Sequence, residues 1–218
     1  MKGSVKVISK KESLESQVVN SEKYFVIDCT SRSLDSMMAH GLSPFYIGPI
    51  ECYDGLTAAK MENAWQFAKV YEGMVDENKN PTYRYFEWRD KGFNQPNASR
   101  YPMGKGINPL YSYWKIGDKY YKLDYIQARK LIYIPCYAKA VVKTEAFARL
   151  QDLLNQGYNL ALSDFDGYNN DSYNLNMKQV VNNTKKIMGH SFVLKMLLDG
   201  LISVENGEVI YSDELKNM

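Results

Sequence analysis

The sequence predicts a single α+β domain, helix-rich, with a few short strands. Three observations predict it. Apolar residues recur at helical spacing over 57–72, 144–155, 177–184 and 191–201. Compact apolar runs of strand length lie at 24–28 and 158–163. The chain has 218 residues, 45% of them apolar and 24% charged, which suits one full core.

The elements follow in order. Residues 1–22 read as a polar lead-in holding a short strand at 5–8, and the domain runs over 23–218. Residues 24–28 read as a buried strand. Residues 32–41 read as a short helix ended by Gly41. Residues 45–53 alternate weakly, as an edge strand does. After the Tyr53-Asp54-Gly55 turn, Thr57 is the expected N-cap of a helix reaching 72. Residues 73–124 carry Asn, Pro and Gly throughout and read as loop. That loop also holds Tyr83, Tyr85, Phe86, Trp88, Phe93 and Tyr101, and aromatic loops of this length are often functional. Within it, 111–121 is a candidate hairpin around Gly117-Asp118. From Asp124 the pattern is helical and is expected to stop at Pro135. Thr144 N-caps the next helix and Gly157 terminates it. A strand at 158–163, a polar loop at 164–176 and helices at 177–184 and 191–201 follow. Asn206-Gly207 closes a terminal hairpin.

Composition narrows the function classes. A net charge of +2 argues against a general polyanion binder, though a local basic patch remains open. Three cysteines, Cys29, Cys52 and Cys136, form no CxxC and read as reduced core thiols of a cytoplasmic protein. No apolar run reaches membrane-spanning length, and the charged N-terminus lacks a signal core, so no membrane partner is expected. The only histidines, His40 and His190, have no metal-ligand spacing. Asp164, Asp166 and Asp171 read better as a solvated turn than as a magnesium site. Walker A, GxGxxG and GxSxG patterns are absent. No metal and no cofactor are expected.

The helix expected from Thr57 carries the sharpest signal. Ala58, Met61, Ala64, Trp65 and Ala68 cover one side, and Phe67, Val70 and Tyr71 much of the other. Glu62, Gln66 and Lys69 then form one narrow polar stripe. Such groups are costly to bury unpartnered. They satisfy one another, line a cavity for a polar ligand, or form a solvated salt-bridging stripe.

The words around this stripe resemble the NADAR (YbiA-like) family. Leu42-Ser43-Pro44-Phe45, Pro49-Ile50, Asp54-Gly55 and Glu62…Gln66…Lys69 follow its opening pattern. Met103-Gly104-Lys105, Pro109-Leu110 and Trp114 fall in the order of its middle segment. Residues 160–169 occupy its strand-then-Asp position, and 188–198 resemble its closing helix. The likeness spans roughly residues 24 to 200. It is specific in the first block and loose elsewhere. Pro44 replaces the family's Asn, and Tyr168-Asn169 stand where it has Trp-Gly.

What the resemblance implies is hydrolysis of an N-glycosidic bond in an ADP-ribose conjugate, such as ADP-ribosylated guanine in nucleic acid, or in a related ribose nucleotide. The same family includes N-glycosidases of riboflavin-pathway intermediates. The implied catalytic carboxylates are Glu62 and Asp166, with Asp164 an alternative to Asp166. One carboxylate stabilises an oxocarbenium-like ribose and activates water, and the other protonates the leaving group or holds the sugar. The implied substrate-binding residues are Phe45, Gln66, Lys69, Arg100, Lys105, Trp114, Tyr168 and His190. Arg32, Arg89, Arg100, Lys105 and Lys69 are candidates for phosphates, and Trp88, Trp114 and Tyr101 for stacking a base. The competing class is a nucleotide-binding module that sequesters its ligand after losing catalysis.

Overall fold

The computed structural model describes residues 2–11, 17–19 and 22–216. In chain order the elements begin with β1 (Val5–Ser9), β2 (Gln17–Val19), β3 (Glu22–Asp28), α1 (Ser36–Leu42), β4 (Ile50–Glu51) and β5 (Thr57–Ala58). Then come α2 (Met61–Phe67), β6 (Lys69–Val70), α3 (Tyr83–Phe93), β7 (Tyr111–Ile116), β8 (Lys119–Leu123) and α4 (Tyr125–Ala128). The last are α5 (Ile134–Val141), α6 (Glu145–Asn155), β9 (Asn159–Asp164), α7 (Met177–Val181), α8 (His190–Leu198), β10 (Ile202–Glu205) and β11 (Glu208–Tyr211). The class is mixed α and β. The chain divides into two compact units: residues Met1–Ser43 with Tyr137–Met218, and residues Pro44–Cys136.

The first unit is built on a sheet of order β1-β9-β3-β2. Its first three strands are parallel, and β2 is an antiparallel edge. Strand β9 is central, and Leu160, Ala161, Leu162 and Ser163 are all fully buried. A parallel strand covered on both faces is expected to read as a continuous apolar run, as this one does. The polar lead-in therefore supplies β1, in register from Val5 opposite Leu160 to Ser9 opposite Asp164. Strand β3 is only half-buried, not buried as its composition suggests: Tyr24 is covered, while Phe25 is 44% exposed and meets Tyr158 edge-on.

Two helices of this unit cross closely. Asp35 caps α1 by accepting from Met38 N, so the helix starts later than the expected 32. Gly41 is the penultimate residue of α1, which ends at Leu42, and a Cβ on Gly41 would fall 2.5 Å from the Ala146 Cβ of α6. Close helix approach is what this glycine serves. Thr144 caps α6 as expected, through Phe147 N at 3.2 Å. Gly157, at φ 91°, ends it. Helix α8 is buried around nearly its whole circumference. The β10–β11 hairpin turns on Asn206 and Gly207, both at positive φ.

The second unit departs further from expectation. The predicted 57–72 helix shrinks to α2, because its ends are recruited as strands. Thr57 and Ala58 pair with β4, and Lys69 and Val70 pair with β7. Thr57 is therefore no N-cap. The first turn of α2 is satisfied by backbone: Met61 N donates to Ile47 O and Glu62 N to Pro44 O. The weak 45–53 strand reduces to β4. Within the presumed loop 73–124 stands the eleven-residue helix α3, whose Tyr85, Arg89, Gly92 and Phe93 face inward. A Cβ on Gly92 would sit 1.9 Å from the Phe67 ring, so α3 lies directly against α2. Tyr85, Val70, Tyr71 and Met74 form a local core with Trp88 and Tyr113 packed on it. The predicted hairpin is present as β7–β8, joined to β6.

Pro135 does not stop the helical run. Residues Arg129–Tyr133 form a π-helical turn between α4 and α5, and Pro135 is the second residue of α5. The wider turn accommodates a residue that lacks an N–H and crowds the preceding carbonyls. Helices α7 and α8 both end earlier than expected, at Val181 and Leu198. The three cysteines are free thiols, and burial pushes Cys29 well above its ordinary range. Among the described residues no helix is long and apolar enough to cross a membrane.

Candidate functional site

The polar stripe survives in the second unit as a hydrogen-bonded chain. Gln66 Nε2 donates to Glu62 Oε1 at 2.8 Å, and Lys69 Nζ donates to Gln66 Oε1 at 2.7 Å. Glu62 and Gln66 are each only 7% exposed. A solvated stripe is therefore excluded. Glu62 and Gln66 stand one turn apart on α2, and Lys69 reaches back from β6. The amide passes contact between carboxylate and ammonium with both of its ends used, which fixes its orientation. Burial lowers the Lys69 amine from 10.5 to about 8, against the opposing pull of Glu62. An amine that exchanges its proton near neutrality, beside a buried carboxylate, is the kind of pair that acid–base chemistry uses.

Other second-unit candidates divide by exposure. Trp114 is 4% exposed and packs edge-on against Tyr53 at 4.7 Å, so its faces are core surface. Phe45 is half-buried. Arg100 is half-buried, its guanidinium 5.5 Å from the exposed Tyr101 ring. Lys105 stands exposed between Gly104 and Gly106, both at positive φ. Arg89 is buried and engaged: its guanidinium pairs with Asp90 Oδ1 at 2.7 Å and donates to the Tyr53 hydroxyl at 3.1 Å. Burial holds that phenol up at about 12. Trp88 packs against Phe67 and Tyr71.

Sequence reasoning missed Asn63. This fully buried side chain donates to Gln95 O and Asn97 O, at 3.0 and 3.1 Å, and accepts from Ser99 N at 2.9 Å. It thereby pins the segment leading to Arg100 onto α2. An Asn inside an apolar helix pattern, next to Glu62, was the available signal.

In the first unit Asp164, the alternative to Asp166, is held in a defined setting. Asp164, at the carboxyl end of β9, is 3% exposed. Its Oδ2 accepts from Ser191 Oγ at 3.1 Å and Ser191 N at 3.3 Å, and lies 3.2 Å from His190 Nδ1. His190 Nε2 donates to Cys29 O at 2.8 Å. Gly189 makes room: a Cβ there would fall 2.0 Å from Asp164 Oδ2. Asp166 is half-buried, and its backbone N lies 3.5 Å from Asp164 Oδ1. Tyr168 packs on Phe192 at 4.7 Å, with Lys186 Nζ 4.7 Å from its ring centre. Arg32 lies over Phe165. Nearby, Lys10 pairs with Asp28, which also accepts from Thr30. These contacts lock the start of α8 to the end of β9.

Among the described residues no group of three or more His, Cys, Asp or Glu side chains is arranged to hold a metal ion. Comparison with known family models, with curated proteins and with solved structures finds no match to this chain.

Proposed function

We propose that this protein is an N-glycosidic bond hydrolase of the NADAR type, acting on an ADP-ribose conjugate or a related ribose nucleotide. The observation that carries the reading is the buried chain Glu62–Gln66–Lys69, made from the three residues on which the sequence resemblance is most specific. In this reading the Glu62 carboxylate stabilises positive charge growing on the ribose C1′ and orients the attacking water. Lys69 keeps that carboxylate ionised; Glu62 takes the proton that the attacking water gives up, and the departing base takes up one proton, so the step balances. Gln66 holds both partners in one geometry, so little reorganisation is needed during the reaction.

The test is turnover. An oligonucleotide carrying ADP-ribosylated guanine and a ribosylaminopyrimidine phosphate are each incubated with the protein, and release of ADP-ribose or free base is followed. Multiple turnovers on either conjugate support the hydrolase. Tight stoichiometric capture without release replaces it with the sequestering module.

A further inference from the structure

Trp65 stands one turn from Glu62 on α2, on the side that the sequence assigns to the core. It is only half-buried. Lys69 Nζ lies 4.9 Å from its ring centre. Tyr133 meets the indole edge-on at 5.2 Å, and Tyr125 lies tilted to it at 6.2 Å. Tyr125 is itself 44% exposed, and the Arg129 guanidinium sits 4.6 Å from its ring centre. Two partly open rings thus lie beside the Glu62 chain, with the Lys69 ammonium over one of them, while Arg129, against the other, is buried at 2% exposure. Of the other tryptophans, Trp88 is also half-buried but has no cation against its ring among the described contacts. Trp114 is covered, and Trp88 is wedged among Phe67, Tyr71 and Tyr85.

We propose that Trp65 and Tyr125 form a stacking platform for the base of a nucleotide, with Lys69 supplying the positive potential that draws its phosphates. The proposal rests on the reading of the Glu62 chain as a nucleotide site and names what that site selects. A purine or pyrimidine face gains about 1–3 kcal/mol from stacking on an aromatic side chain, whichever base it is. The Lys69 cation favours an anionic ligand over a neutral nucleoside. A sugar phosphate without a base engages that charge alone. The platform therefore separates nucleotides from sugar phosphates, and it does so on α2 and α4 without the buried Trp114.

Calorimetric titration of the full chain with ADP-ribose and with ribose 5-phosphate tests this. The parent is expected to bind ADP-ribose at least about 10-fold more tightly, in line with a stacking gain of about 1–3 kcal/mol. Trp65→Leu is expected to shrink the preference below about 3-fold, while Trp65→Phe keeps most of it. Tyr125→Leu, at an exposed position, reports independently if Trp65→Leu fails to fold. A folded Trp65→Leu or Tyr125→Leu with the parent's full preference overturns the platform. So does a parent that binds both probes alike, or neither at millimolar concentration. Hydrolysis with an unchanged preference in the variants sinks the platform and leaves the hydrolase. Base preference lost in the variants, without any turnover in the parent, sinks the hydrolase and leaves the platform.

Discussion

Lys69 makes a measurable claim about stability. Its amine releases its proton at about 8 in the folded chain, against an ordinary 10.5, because burial disfavours the charged form more than Glu62 favours it. Between those two values the unfolded chain binds more protons than the folded one, so stability climbs as pH rises through that window. Below about pH 8 the cost of the buried charge is present in full. At about 1.4 kcal/mol per tenfold change, the fall from 10.5 to about 8 corresponds to about 3 kcal/mol. Residual solvent around the half-buried side chain reduces this to about 2 kcal/mol. Lys69→Met removes the titrating group and keeps most of the apolar stem. Urea unfolding of both proteins across pH 6 to 11 isolates the effect, because the other titrating groups cancel in the difference. The parent is expected to gain about 2 kcal/mol on the variant between pH 8 and 10.5, with a flat difference below pH 8. A difference that is constant throughout, or that moves against the parent as pH rises, refutes the buried-amine account.

Three further outcomes follow from packing. Gly92→Ala drives a methyl into the Phe67 ring and should cost about 1–3 kcal/mol, read as a lower urea midpoint. Asp164→Ala leaves the Ser191 hydroxyl and backbone N–H without their shared acceptor and should cost about 1–3 kcal/mol, with Asp164→Asn milder because one oxygen remains. Asn63→Leu removes three hydrogen bonds to the 95–99 segment and should make that segment the first site of limited proteolysis, while the parent resists there.

What the sequence reveals follows local physics. The β9 strand, helix α6 with its Thr144 cap and the Asn206-Gly207 hairpin were legible because each is specified by neighbouring residues. The extent of α2 was not. Its helical periodicity runs on past both ends, yet Thr57 and Val70 pair with β4 and β7; strands were expected near both, but periodicity along one segment does not say that they claim its ends. Helix α3 was hidden by the Asn, Pro and Gly on either side of it, although Tyr85, Arg89, Gly92 and Phe93 carry helical spacing. Pro135 misled because a π-helical turn absorbs it. In the site, the Glu62–Gln66–Lys69 stripe was visible as spacing, but that its members bond to one another needed coordinates. The anchored state of Asp164 was invisible, since Ser191 and His190 lie far along the chain.

The central claim is that the buried Glu62 carboxylate does chemistry and is not merely a core contact. Glu62→Gln keeps the shape and can still bond Gln66, but it removes the charge that a ribose cation requires. Single-turnover release of ADP-ribose from the cleaved conjugate, with ligand affinity and melting temperature followed alongside, isolates that charge. The predicted rate is lower by about 100-fold or more, with binding retained. A folded Glu62→Gln that releases ADP-ribose as fast as the parent contradicts it.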